Sequence, residues 1–299
     1  MAGEASSMDV VARVGVTDWS GPFAPELQRR ATDALEQGKV LWFPALAFAL
    51  EESEQALLSP ALSDGKAKNI SLDPATGACQ GMNAAPELAA RVAAMMERFA
   101  RAATDLIIGL FPGYGSGLER ARTSYRPVEI EGRRYSALKD DKLLHIDAFP
   151  SRPTQGRRIL RLFTNVDPEG KLRLWHVGEP FEAFARRFAA RVRPPLPGEG
   201  WLLERLGITK GRRGAYDHLM LGLHNDGKRD TAYQLAAAKA ALAFPPGSTW
   251  LCYTDQVLHA ALGGQFALEQ TFHLSLEAMA DAERSPLRVL ERLTGSPLA

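Results

Sequence analysis

Apolar positions in the first third of the chain recur at helical spacing. In PELAARVAAMMERFARAATDLIIGLF (86–111), Leu88, Val92, Met95, Phe99, Ala103 and Leu106 fall on one stripe, and Pro86 suits a first helical turn. This predicts a long helix packed on a sheet. Upstream, GKVLWFPALAFAL (38–50) reads as a buried strand with a turn at Pro44. From about residue 118 the period changes. LERARTSYRPVEIEG (118–132) and YSALKDDKLLHIDAF (135–149) are strand-like, and RRILRLFTNVDPEGKLRLWHV (157–177) reads as a strand, an Asp-Pro-Glu-Gly turn and a second strand. EPFEAFARRFAARV (179–192) is helical, and ARVRPPLPGEGW (190–201) reads as a loop. TAYQLAAAKAALAFPPGSTWLCYTDQVLHAAL (231–262) sets a Pro-Pro-Gly turn between strands, ALEQTFHLSLEAM (267–279) alternates, and SPLRVLERLTG is a short basic helix.

Strands that turn back on one another without regular intervening helices imply an antiparallel sandwich or barrel, and a helix outside one face makes the class α+β. The expectation is one domain over 1–299. It has an N-terminal support of helix and strand (1–117), a barrel core at about 118–280 and a C-terminal helix at 283–295.

Composition narrows the function classes. A net charge of +1 argues against a nucleic-acid binder. Cys79 and Cys252 are far apart and form no metal or redox spacing, which fits a reducing compartment. The stretch MAGEASSMDVVARVGV lacks a basic start followed by an apolar run, and no segment approaches the roughly 20 apolar residues of a membrane span. A cytoplasmic protein is expected, with peripheral membrane attachment left open.

The chemistry concentrates in KLLHIDAFPS (142–151). In an extended segment His145 and Asp147 share a face, while Leu144 and Ile146 point away. A third ligand is available from His176, His218, His224, His259 or His273. His259 is best placed, on a late strand 112 residues beyond Asp147 that the Pro-Pro-Gly turn would bring back across the barrel. Two imidazoles and one carboxylate make the facial triad of a non-haem Fe(II) oxygenase, leaving room on the metal for a 2-oxo acid and dioxygen. The same set can hold zinc with an activated water, and an isolated H-x-D is also common as a purely structural pair.

A 2-oxoglutarate oxygenase also needs a cation for the distal carboxylate of its co-substrate, and the planar fork of Arg suits it. No Arg or Lys lies between His259 and Arg284, so the last strand does not supply it. In RRILRLFTN, Arg157, Ile159, Arg161 and Phe163 share one face, and Arg161 sits between apolar neighbours pointing into the barrel. Thr271 and His273, on one polar face with Glu269 and Ser275, are secondary candidates. Residues 120–161 hold eleven Lys or Arg against five Asp or Glu. A local excess of this kind suits an anionic substrate. Arg126, Lys142 and Arg152 flank the proposed metal segment.

The blocks ARTSYRPVEI, LLHIDAFPSRPTQGRRILRLFTNVDP, LRLWHVGEPFE, HLMLGLHNDGKRD and FPPGSTWLCYTDQVLHAALGGQFALEQTF resemble the Kdo hydroxylase family over roughly residues 30–280. The resemblance implies a double-stranded β-helix, a jelly-roll or cupin-like barrel flanked by helices. It implies Fe(II) held by His145, Asp147 and His259, with 2-oxoglutarate and O2 as co-substrates. The implied reaction hydroxylates carbon three of Kdo (3-deoxy-manno-octulosonic acid) on the lipid A precursor of lipopolysaccharide in Gram-negative bacteria. The implied partner is an anionic glycolipid, Kdo-lipid A, met at the inner membrane by a cytoplasmic, peripheral enzyme that could form an oligomer. His224 and Lys228 of LHNDGKRD are expected in a polar loop as a lid or sugar contact. The rival expectations are a 2-oxoglutarate oxygenase for a protein or small metabolite, and a barrel that binds a ligand without catalysis.

Overall fold

A computed structural model describes residues 9–132 and 135–299. Part of the N-terminal stretch read for a signal, and Arg133 and Arg134 of the basic segment, lie outside the described residues.

The first third supplies β1 (Val11–Arg13), α1 (Pro25–Glu36), β2 (Val40–Phe43), α2 (Glu52–Gln55), β3 (Ile70–Leu72), β4 (Cys79–Gln80) and α3 (Pro86–Leu110). Next come β5 (Leu118–Arg126), β6 (Arg158–Asn165), β7 (Arg173–Val177), α4 (Phe181–Phe188), α5 (Glu199–Arg205), α6 (Ala215–Arg229) and α7 (Thr231–Ala236). The chain finishes with β8 (Ala240–Phe244), β9 (Thr249–Tyr253), β10 (His259–Gly263), β11 (Ala267–Leu274) and α8 (Pro286–Thr294).

The described strands form two sheets. The larger has eight strands in the order β1-β2-β9-β6-β11-β5-β3-β4, and the smaller has the order β10-β7-β8. All pairs are antiparallel except β1 with β2. The Asp-Pro-Glu-Gly and Pro-Pro-Gly turns do not close hairpins. Each carries the chain from one sheet to the other, β6 to β7 and β8 to β9. Alternation in β6 then sorts its side chains, because successive residues face opposite ways. Leu160 and Leu162 join the core under α1 and α3 with Leu251, Leu268 and Phe272, while Arg161 and Phe163 face the space between the sheets.

Outside the larger sheet, α3 buries Val92, Met95, Phe99, Ala103 and Leu106, the stripe expected from spacing. Each large apolar side chain so buried contributes roughly 1.5–3 kcal/mol. Behind the smaller sheet, α4, α6, α7 and α8 enclose Ile146 and Leu258 with Phe184, Phe188, Met220 and Leu290. Between the sheets, one end is plugged by aromatics. Phe244 stacks on Trp250 at 4.2 Å, Phe163 stacks on the other side of Trp250 at 5.4 Å, and Trp175 meets Trp250 edge-on at 5.7 Å. The other end holds the polar cavity.

Two expectations are corrected. Residues 135–149 do not form a strand: there is a short 3-10 turn at Ala137–Lys139 and a single bridge at His145. LHNDGKRD is not a loop but the second half of α6. The two cysteines are free. No described helix is long and apolar enough to cross a membrane.

Candidate metal centre and cavity

The segment around His145 lies against the open edge of β10 and is held residue by residue. His145 exchanges both backbone hydrogen bonds with His259, at 3.0 and 2.9 Å, and the Asp147 amide donates to the Thr254 carbonyl at 2.7 Å. On its outer side the partners are side chains from helices. Gln234 of α7 accepts from the Leu144 amide and donates to the Leu144 carbonyl, both at 2.9 Å. His224 of α6 lies 2.7 Å from the Ile146 carbonyl through Nδ1 and donates to it. A buried backbone must pair its polar groups, and here side chains take the part of a neighbouring strand.

This pairing sets His145, Asp147 and His259 around one point. Each offers one ligand atom, and the three atoms lie within 4.8 Å of one another. It is the one such group among the described residues. His145 Nδ1 lies 2.8 Å from the Leu143 carbonyl and His259 Nδ1 2.9 Å from the Val257 carbonyl. Donation from Nδ1 fixes the tautomer that leaves Nε2 as a lone-pair donor. Burial disfavours the charged form of both rings and lowers both pKa values, so the imidazoles are neutral, as ligation requires. Burial opposes ionisation of Asp147, but the opposing pull, led by the adjacent Arg161 guanidinium, holds its carboxyl well below the usual range. The His259 ring stacks on Trp175 at 5.2 Å.

Beside the triad is a row of buried charges. Arg161 Nη1 lies 3.0 Å from Asp147 Oδ2 and 3.4 Å from Glu269 Oε1. Arg126 donates to Glu269 Oε2 from Nε and Nη2, at 3.1 and 2.7 Å. Burial works against the Glu269 carboxylate, yet Arg161 and Arg126 hold its pKa below the ordinary value. Arg161 Nε is buried without a hydrogen-bond partner among the described residues, and Asp147 Oδ2 meets Arg161 Nη1 as an ion pair without an aligned hydrogen bond. A buried guanidinium N–H left unpaired beside the triad is a donor free to meet a ligand. Two imidazole nitrogens, one carboxylate and an adjacent incompletely paired guanidinium fit an iron ion with a chelating oxo-acid anion.

The cavity above the triad measures about 760 Å³. Arg126, Arg152, Arg161, Thr271 and His273 line it, as do Glu269 and Arg157. Arg173, Trp175 and Lys68 also line it and were missed in the sequence. The alternation in RLWHV would have placed Arg173 and Trp175 on one inward face; nothing around Lys68 signals its role. Two expectations fail on geometry. His224 and Lys228 are not in the cavity wall; His224 supports the ligand segment from behind, and the Lys228 ammonium is buried beneath it, 3.3 Å from the Leu138 carbonyl. Lys142 also lies outside the wall, with its ammonium 4.0 Å from Asp140.

Comparison with known proteins bears directly on this arrangement. The family model described as 3-deoxy-D-manno-oct-2-ulosonic acid (Kdo) hydroxylase matches residues 18–297. Solved structures of the Kdo hydroxylase KdoO, a non-haem Fe(II) α-ketoglutarate-dependent dioxygenase, are closely similar. The complex with α-ketoglutarate and Fe(III) shares 45% identity over 97% of both chains, with a TM-score of 0.93. The cobalt(II) complex shares 46% over 97% of both chains, TM-score 0.93, and the succinate and Fe(III) complex 46% over 97% of both, TM-score 0.92. No curated protein matches the chain.

Proposed function

The chain belongs to the Kdo hydroxylase family, and on that premise we propose that it hydroxylates carbon three of Kdo, carried on lipid A, using Fe(II), 2-oxoglutarate and O2. The observation that carries this reading is the convergence of His145, Asp147 and His259 within 4.8 Å at the floor of a cationic cavity. These three side chains would hold the iron. Together, iron and 2-oxoglutarate supply O2 activation coupled to oxidative decarboxylation, giving succinate, carbon dioxide and a hydroxylated sugar.

The chain's own residues do the rest. Carbonyls of Leu143 and Val257 hold the imidazoles in register. Arg161 keeps Asp147 ionised and, with its unpaired Nε, takes a co-substrate carboxylate; Thr271 and His273 flank that position. Trp175, on the face of His259, helps exclude water from the metal side of the cavity. Arg126 and Arg152 of the cavity wall provide charge for an acidic sugar and phosphates. Arg152, which has no acidic partner among the described residues, is the stronger candidate for substrate. The acyl chains of such a substrate stay in the bilayer, so the protein works in peripheral contact with the inner membrane.

The test is an anaerobic titration with Fe(II) and 2-oxoglutarate. A weak visible charge-transfer band is expected for the intact protein and is expected to vanish in His145→Ala. Mass spectrometry of Kdo-lipid A after turnover should show one added oxygen atom. No band and no added oxygen with intact protein would sink the reading.

A further inference from the structure

The segment between α4 and α6 has an unusual surface. None of the residues of α5 is buried. Leu196, Trp201, Leu202, Leu206 and Ile208 are 70%, 57%, 50%, 63% and 54% exposed. Single exposed apolar side chains need no explanation, but five within thirteen residues, one of them Trp, are a local concentration that does. The patch is set in positive charge. Residues 190–213 hold six Lys or Arg against two Glu. Arg193, Arg205, Lys210 and Arg212 have no acidic partner among the described residues.

The segment is also fastened to the site. The Lys210 amide donates to the Ser151 carbonyl at 2.8 Å, Arg213 Nη2 to the Pro150 carbonyl at 2.6 Å, and Gln155 Nε2 to the Arg212 carbonyl at 3.3 Å. Residues 150–155 continue directly from the ligand segment, and Arg152, Pro153 and Gln155 line the cavity together with Lys210 and Gly211. The apolar patch therefore stands beside the cavity mouth.

We propose that residues 196–208 are a membrane-docking surface. Its apolar side chains enter the boundary between headgroups and acyl chains of an anionic bilayer, the flanking cations meet lipid phosphates, and the cavity mouth is thereby set at headgroup level. Trp and Leu beside Arg and Lys is the composition of interfacial elements. A second copy of the chain is a poorer occupant. A twofold contact would set this cationic patch against itself, with only Glu199 and Glu204 to offset the repulsion. The inference rests on the reading that the Kdo acceptor is a membrane lipid.

The test is co-sedimentation of the full chain with vesicles of phosphatidylethanolamine and phosphatidylglycerol, against vesicles of phosphatidylcholine. Intact protein should bind the anionic vesicles, and less at high salt. The triple variant Trp201→Ser, Leu202→Ser, Leu206→Ser should bind about tenfold more weakly or worse. The pair Arg205→Gln, Arg212→Gln should lose roughly fivefold per cation and about half of the salt sensitivity, because Arg193 and Lys210 remain. Both variants should hydroxylate an acyl-free Kdo oligosaccharide like the intact protein, but turn over vesicle-borne Kdo-lipid more slowly. Unaltered vesicle binding in both variants, no binding by intact protein, or a dimer that the triple variant dissociates would overturn the docking surface. Intact vesicle binding with no hydroxylation of either substrate would leave it standing and sink the function.

Discussion

Gln234 is a buried amide in α7, remote from the cavity, that pairs with both backbone groups of Leu144 and also donates to the Gly227 carbonyl at 2.8 Å. Replacing it with Leu keeps the volume and removes all three hydrogen bonds. Each backbone group left buried and unpaired costs about 1–3 kcal/mol. The two groups of Leu144 alone therefore amount to roughly 2–6 kcal/mol, and partial relaxation of the segment should bring the loss to about 3 kcal/mol. For a chain of this size that is a fall of roughly 6 °C in melting temperature, at about 2 °C per kcal/mol. The cost falls on the residue preceding His145, so part of it appears as lost pre-organisation of the metal ligands. Outer supports of ligands are typically worth about 10–100-fold in metal affinity. Anaerobic Fe(II) titration in the presence of 2-oxoglutarate, followed at the charge-transfer band, should show Gln234→Leu needing at least about tenfold more iron. Differential scanning calorimetry of the same samples gives the stability term. A melting temperature lowered as expected with unaltered iron affinity would refute the claim that Gln234 orders the ligand segment. So would an unaltered melting temperature.

Two further outcomes follow from buried charge. Arg158 is fully buried on the opposite face of β6 from Arg161; it donates to Asp255 from Nε at 2.8 Å and lies over the Tyr253 ring at 3.8 Å. Arg158→Met should destabilise by about 3–5 kcal/mol in urea denaturation, because it strands Asp255, and a loss below 1 kcal/mol would show that the pair is not carrying stability. Arg161→Lys keeps the charge but not the fork, so the KM for 2-oxoglutarate should rise about tenfold or more with Fe(II) still bound; an unaltered KM would remove Arg161 from the co-substrate.

Much of the site was legible because its signals are local. The alternation in β6 and β11 put Arg161, Glu269, Thr271 and His273 on inward faces, and the Pro-Pro-Gly turn marked a change of sheet. What the sequence hid were positions decided by tertiary contact. KLLHIDAF alternates like a strand, but its outer neighbour is an amide side chain from α7 and an imidazole from α6, so it closes only one bridge of regular pairing. HLMLGLHNDGKRD carries Asn-Asp-Gly, a strong turn signal, yet it is helical. Its glycines are there for close approach rather than for a turn. A Cβ at Gly222 would stand 2.3 Å from Val192 Cγ1, and one at Gly227 would stand 2.7 Å from the Phe184 ring. Both distances are too short for any side chain, so α6 can lie this close to α4 and the chain after it only with glycine at these positions. From the same helix His224 reaches the Ile146 carbonyl, and the Gly227 carbonyl accepts from Gln234. Gly227, which disguised the helix, and Gly222 are thus both part of what fixes the metal ligands. The aliphatic residues ahead of the Asn-Asp-Gly triplet, of which Leu219, Met220 and Leu223 are buried, are what override the turn preference.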